Sequence, residues 1–231
     1  MESSPRLHPS FWNHQYHPLA RLREALDRVL DEIPPASAEG RQVIDLGCGA
    51  SPYRPMFLAR GFGYVGCDLA GSPDLLIGED GRVPLGDEVA AGVVSFQVLE
   101  HVWNIDEYLG ECHRLCRRGG WLILSTHGTW PYHPHPTDYR RWTRDGLTQE
   151  LTGRGFDVVK VIAILGPLAW TSQIRLLGFR AVLLRLPFGR LLSGLCAVLM
   201  NLRIGIEERL TPARFRDTNA CVYLTLSKKR P

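Results

Sequence analysis

Residues 43–49 read Val-Ile-Asp-Leu-Gly-Cys-Gly, and Tyr64-Val65-Gly66-Cys67-Asp68-Leu69 follows about twenty positions later. A short apolar strand that runs into two glycines brings its backbone where a ligand can approach closely. A second strand ending in a carboxylate can hold both hydroxyls of a ribose. Together they describe a nucleoside crevice at the carboxyl edge of a parallel sheet.

The nucleoside expected here carries no phosphates. A dinucleotide site needs a third glycine and a bare helix N-terminus for the pyrophosphate. Ala50-Ser51-Pro52-Tyr53 follows Gly49 instead. Ser51 and Pro52 suit the cap and first turn of a helix, which is expected to start there. A phosphate-binding loop is excluded as well, because no Gly-Lys-Ser/Thr follows.

Strand and helix patterns alternate through the chain. The apolar runs predict strands at 42–46, 63–67, 74–77, 92–96 and 120–125, with helices at 53–60, 104–116 and 144–154. Gly119-Gly120 is expected to turn the chain into the fifth strand. Residues 19–33 carry apolar side chains at helical spacing, and Pro34-Pro35 ends that helix. Short connections between alternating elements imply a right-handed, doubly wound parallel sheet. Phe156–Ile162 and Ala220–Ser227 alternate polar and apolar residues instead, as an edge pair does. The reading divides the chain into an arm and helix (1–35), a binding domain (36–164 and 219–231) and a helical insert (165–218).

The formal net charge of +3 is too small to indicate nucleic acid. The six cysteines form no CxxC pair and read as reduced thiols of a cytoplasmic protein. No uninterrupted apolar run approaches the roughly 20 residues of a spanning helix.

Five motifs, in order, carry a family resemblance: Val43–Gly49, Asp68, Glu79-Asp80-Gly81-Arg82-Val83-Pro84-Leu85, Gln97-Val98-Leu99-Glu100-His101-Val102 and Arg117-Arg118-Gly119-Gly120. The chain resembles class I S-adenosylmethionine-dependent methyltransferases of the type 11 group over roughly residues 41–162 and the final strand. The resemblance implies a Rossmann-like seven-stranded sheet whose last two strands are an antiparallel pair. It also implies S-adenosyl-L-methionine as cofactor. By position, Asp45, Gly47, Cys48 and Gly49 would face its methionine part, and Asp68 the ribose. Glu79 or Asp80 would meet the adenine amino group, and Gln97 and Val98 would line the methionine side. Tyr53, Leu69, Gly81 and His101 complete the expected cofactor shell.

Acceptor chemistry is expected from His101 and from the stretch Ser125–Trp142. That stretch begins at the carboxyl end of strand five, and its prolines stiffen it. Transfer to a hydroxyl is helped by a base, for which His101, His133 and His135 are the candidates. His127, Trp130, Tyr132, His133, His135, Asp138 and Tyr139 are expected to line the acceptor pocket, with Arg140 or Arg141 pairing an anionic group. The competing reading is a loop scaffold with Asp138 and an arginine in a salt bridge. No metal is expected, since the prolines would oppose convergence of His127, His133, His135 and Asp138.

Val161–Ile206 contains no acidic residue but has Arg175, Arg180, Arg185, Arg190 and Arg203 among apolar side chains. A lid over the acceptor site, a homodimer contact and peripheral contact with the inner face of a membrane all suit this composition. Arginines five apart advance about 140° each on a helix, which argues against one polar face. The reading as a whole is methyl transfer to a partly apolar small molecule, most simply at oxygen, with nitrogen or carbon as the alternative. A non-catalytic cofactor-binding module is the competing class. A nucleic-acid substrate is disfavoured because no Asn/Asp-Pro-Pro-Tyr follows strand four.

Overall fold

A central parallel strand is buried on both faces and needs apolar side chains throughout. Ala90–Phe96 (β4) is buried along its whole length, and its one polar side chain, Ser95, is hydrogen-bonded to the Tyr108 hydroxyl at 2.7 Å. The computed structural model describes residues 4–33, 41–134 and 136–230. In it β1 (Gln42–Leu46), β2 (Gly63–Asp68), β3 (Leu75–Leu76), β4, β5 (Cys116–His127), β6 (Phe156–Ile164) and β7 (Val222–Lys229) form one sheet. The order is β3-β2-β1-β4-β5-β7-β6. β1 to β5 pair in parallel, whereas β7 is antiparallel to both β5 and β6. The fold is therefore the expected Rossmann-like α/β sheet with its antiparallel last pair. Strand order reverses between β1 and β4, which opens a crevice at the carboxyl edge.

Alternation along the strands divides the core into two layers. Val43, Val94 and Ile123 point to one side, where they meet α1 (Tyr16–Asp31) and α2 (Arg54–Leu58) through Leu26 and Phe57. Ile44, Val93 and Leu122 point to the other, against α3 (Ile105–Leu115) and α4 (Arg144–Gly153) through Leu109, Leu147 and Leu151. The insert consists of α5 (Pro167–Leu183), α6 (Gly189–Leu210) and the short α7 (Ala213–Thr218). It leaves β6 at Ile164 and returns at Val222, which are register partners.

Three expectations are corrected. Ser51 and Pro52 do not begin the first βα helix. Ser51 has φ +50°, Tyr53 is the N-cap of α2, and the first-turn proline is Pro55. β5 starts earlier than expected, because Cys116 already pairs with Ala90. Residues 117–120 then form a bulge, with Gly119 at φ +68°, before Trp121 meets Gly92. Finally, α6 is long and apolar enough to cross a membrane by length and composition. The Pro34-Pro35 helix stop lies outside the described residues.

Phe57 is fully buried, whereas its neighbour Leu58 is half exposed. In urea denaturation Phe57→Ala is expected to cost about 3–5 kcal/mol, and Leu58→Ala about 0.5 kcal/mol or less.

Candidate functional site

The crevice is built where β1 and β2 end. Gly47 has φ +80°, and a Cβ there would stand 2.6 Å from Val98 Cγ2, so only glycine lets this loop lie against Val98. The N–H groups of Gly47 and Cys48 donate to the Cys67 carbonyl at 2.8 and 3.0 Å. Gly49 has φ +53° and opens onto free space. Its N–H donates to Asp68 Oδ2 at 2.7 Å, and the N–H of exposed Leu69 donates to Oδ1 at 2.7 Å. Each Asp68 oxygen keeps a lone pair for a further donor.

Asp45 is buried beside this loop. Its Oδ2 accepts the Tyr64 hydroxyl proton, while Oδ1 has no hydrogen-bond partner. Burial raises its pKa to about 7, against the opposing pull of Tyr64. Gln97 follows β4 in the left-handed region (φ +59°), where its N–H donates to the Ser125 carbonyl and its Nε2 to Ser125 Oγ. Glu79, Asp80 and Gly81 lie on an exposed turn in which Asp80 Oδ1 accepts from the Arg82 N–H at 3.0 Å. Tyr53, expected in the cofactor shell, is buried in the core. It is 1% exposed and packs on the Phe96 ring at 4.7 Å.

At the carboxyl ends of β4 and β5 a group of imidazoles gathers on a buried acid. Glu100 has no solvent exposure, and its Oε1 lies 2.8 Å from His127 Nδ1. Its Oε2 accepts from Thr126 Oγ1 at 2.8 Å. Burial pushes the Glu100 carboxyl up, but His127 and then Thr126 outweigh it, and the group stays below the usual glutamate value. His127 stacks on Trp130 at 5.1 Å and meets His133 edge-on at 4.8 Å. His133 stacks on His101 at 4.9 Å. Burial, together with the neighbouring His127 and His101, holds His133 below the usual histidine value. His101 Nδ1 lies 2.6 Å from the Thr137 carbonyl. A carbonyl only accepts, so Nδ1 carries the proton and Nε2 holds the lone pair.

Of the two arginines expected to offer an anion site, Arg141 does not stand ready for one. Arg141 gives all its donors to the loop, namely both Asp138 oxygens and the carbonyls of Trp130, Pro131 and Arg140. Asp138 also accepts from the His133 N–H at 2.9 Å, and Arg141 holds its carboxyl well below the usual range. Arg140 donates to the carbonyls of Val102 and Trp103. Here the scaffold reading of these side chains holds. Tyr139 packs on Trp103 at 5.2 Å, and Tyr132 is exposed. His135 lies outside the described residues.

Nor do the prolines keep metal-type ligands apart. Glu100, His127 and His133 form one group, and His101, His133 and Asp138 another, each with ligand atoms within 4.8 Å. Glu100 and Thr126 are the functional neighbours that sequence reasoning passed over. The signal for Glu100 was an acid directly after the apolar Val98-Leu99 in the turn that follows β4.

A family model described as a methyltransferase domain matches residues 13–161. The chain belongs to that family. It carries a class I S-adenosylmethionine-dependent methyltransferase domain. A ubiquinone biosynthesis O-methyltransferase of Paracidovorax citrulli is 28% identical over 129 residues, covering 48% of this chain and 53% of that protein. A second such enzyme, from Nitrosomonas europaea, is 26% identical over 145 residues, covering 54% and 61%. The chain thus spans about half the length of the curated relatives it matches. Two solved structures share the fold at low identity. A geranyl diphosphate methyltransferase, in complex with GPP and sinefungin, has a TM-score of 0.56 at 14% identity, covering 91% of this chain and 79% of that one. A SAM-dependent methyltransferase from Archaeoglobus fulgidus has a TM-score of 0.51 at 17%, covering 90% and 94%.

The methyltransferase's crevice fits S-adenosylmethionine. The unpartnered Asp45 Oδ1 suits a cationic donor, and the open space at Gly49 admits a ligand against the backbone. Gly47→Ala meets both a left-handed backbone and the Val98 side chain, so it is expected to lower stability by about 2–4 kcal/mol. Gly49→Ala meets only the backbone term of about 1 kcal/mol. Thermal denaturation of the two variants checks the order.

Proposed function

We propose that the protein transfers the methyl group of S-adenosylmethionine to a hydroxyl oxygen of a partly apolar small molecule, with His101 as the base. The observation that carries this reading is the 2.6 Å contact of His101 Nδ1 with the Thr137 carbonyl. It holds the imidazole in the tautomer whose Nε2 accepts a proton. Trp130, Tyr132 and Tyr139 supply aromatic surface nearby. Oxygen as the accepting atom draws support from relatives named ubiquinone biosynthesis O-methyltransferases. An apolar acceptor is also in keeping with the geranyl diphosphate methyltransferase among the structural neighbours.

When bound, S-adenosylmethionine supplies a methyl group already activated by its sulfonium charge. The protein's task is therefore alignment and removal of one proton. We assign Asp45 to the ammonium group of the cofactor and Asp68 to its ribose, with Gln97 and Val98 beside the methionine chain. An acid on the Glu79–Asp80 turn would meet the adenine. His101 Nε2 takes the acceptor's hydroxyl proton. His133 stays neutral against it, so the protonated His101 meets no second cation. The Glu100 carboxylate holds His127 beneath His133 and keeps the stack in register.

His101→Asn is expected to lower kcat by about 10²–10⁴-fold while calorimetric affinity for S-adenosylmethionine stays unchanged. An unaltered kcat would remove His101 from the base role. Acceptors are best sought with hydroxylated aromatics bearing or lacking an isoprenoid tail, set beside matched amines, with S-adenosylhomocysteine followed by mass spectrometry. Turnover confined to the amines would replace oxygen by nitrogen as the accepting atom.

The Asp45 assignment has a pH signature. Below about 7 the unliganded carboxyl holds a proton and attracts a cation poorly. Affinity for S-adenosylmethionine should therefore fall, by up to about tenfold per pH unit, as pH drops below that value. Asp45→Asn should bind weakly and lose this dependence, which titration calorimetry at several pH values would reveal.

A further inference from the structure

The insert is inside out for a helix pair on a water-soluble surface. The inner face of α6 carries Gly189, Ser193, Ala197, Asn201, Ile204 and Glu208, mostly small or polar, and all are buried. Its outer face carries Leu191, Leu195, Leu199, Leu202, Ile206 and Leu210, which are 46–70% exposed. At 100° per residue these six lie within an arc of about 100°. A helix facing water shows the opposite arrangement, whereas small residues toward the protein and large apolar ones outward is the pattern of a helix facing lipid. On α5, Ala169, Ser172, Gln173 and Leu176 are buried while Phe179 and Val182 are exposed.

The turn between the helices adds an apolar tip. Phe188 has φ +59° and is 84% exposed, and Leu184 and Leu186 beside it are 43% and 49% exposed. A bulky side chain in the left-handed region is rare and is held there by its surroundings. The charge on the hairpin as far as Ile206 has one sign. No acidic residue occurs between Val161 and Ile206, and exposed Arg175, Arg185 and Arg190 form no ion pair among the described residues. Arginine stems can lie on apolar surface while their heads meet anions.

Hydrogen bonds hold α6 onto the protein. Asn201 Nδ2 donates to the carbonyls of Phe11 and Asn13, and Glu208 Oε2 accepts from the Gly166 N–H. Although α6 is long enough to span a bilayer, this anchoring suits lying on one.

We propose that the outer face of α5 and α6, with the Leu184–Phe188 tip, docks on an anionic lipid surface. Apolar side chains enter the headgroup boundary, and the arginines meet lipid phosphates. The root of the hairpin is one strand from the candidate site, since Val222 pairs with His127. The lipid-facing surface and the site thus share one edge of the sheet. Docking on lipid needs no turnover, so its failure would leave the methyl-transfer reading in place.

The test is sedimentation of the full chain with vesicles, either pure phosphatidylcholine or three parts phosphatidylcholine to one part phosphatidylglycerol. Binding is expected to be about tenfold or more stronger to the anionic vesicles and to weaken with salt. Phe188→Glu combined with Leu199→Glu should lower it by about tenfold or more with affinity for S-adenosylmethionine unchanged. Arg185→Glu with Arg190→Glu should remove the preference for phosphatidylglycerol. Absence of binding, or binding that both double variants leave intact, would overturn the proposal. So would a dimer in light scattering that Leu199→Glu dissociates in a protein that ignores vesicles, since a second copy would then cover this face.

Discussion

A carboxylate with no access to water must be paired, because an isolated buried charge is costly and breaking its pairing costs about 3–5 kcal/mol. Glu100 is that carboxylate, and the candidate site is arranged around its needs. One oxygen takes His127 and the other Thr126, which ties the end of β5 to the turn after β4. Its backbone carbonyl accepts the Tyr139 N–H, while the His127 carbonyl accepts that of Trp142. Both ends of the residue 128–142 loop are thereby held against the sheet edge. The imidazole stack follows from this anchoring, because His127 positions His133 and His133 packs on His101.

The same few residues join this group to the cofactor crevice. Val98, two positions before Glu100, fills the space that a side chain on Gly47 would take. Gln97, one further back, is held in a left-handed conformation by two hydrogen bonds to Ser125. The end of β4 therefore touches the donor loop on one side and the histidines on the other. That is where a topological switch point places a ligand.

Legibility in the sequence followed the range of the interactions. The glycine loop after β1 and the acid that ends β2 were readable because a left-handed turn against Val98 requires glycine and Asp68 closes an apolar run. β4 was readable from its near-continuous apolar run, broken only by Ser95, and the last strand pair from its alternation. The start of α2 was not, because Ser51 adopts a left-handed conformation that its cap-like identity does not announce. Arg141 read as one of two candidates for an anion because a sequence shows charge without showing which carbonyls and carboxylates will fold toward it. Tyr53 read as a cofactor contact because it follows the glycine loop closely in sequence; its burial depends on Phe96, a distant strand residue.

By itself the sequence determined the sheet, the cofactor class and the edge at which chemistry occurs, since these depend on local periodicity and on residue types that few other conformations tolerate. Only the tertiary structure decided which imidazole nitrogen meets the Thr137 carbonyl, that Glu100 organises the group, and which side of the arginine-studded insert faces outward. Those outcomes rest on contacts between residues far apart in the chain. The partner of an imidazole nitrogen and the face a helix buries are set by what folds against them.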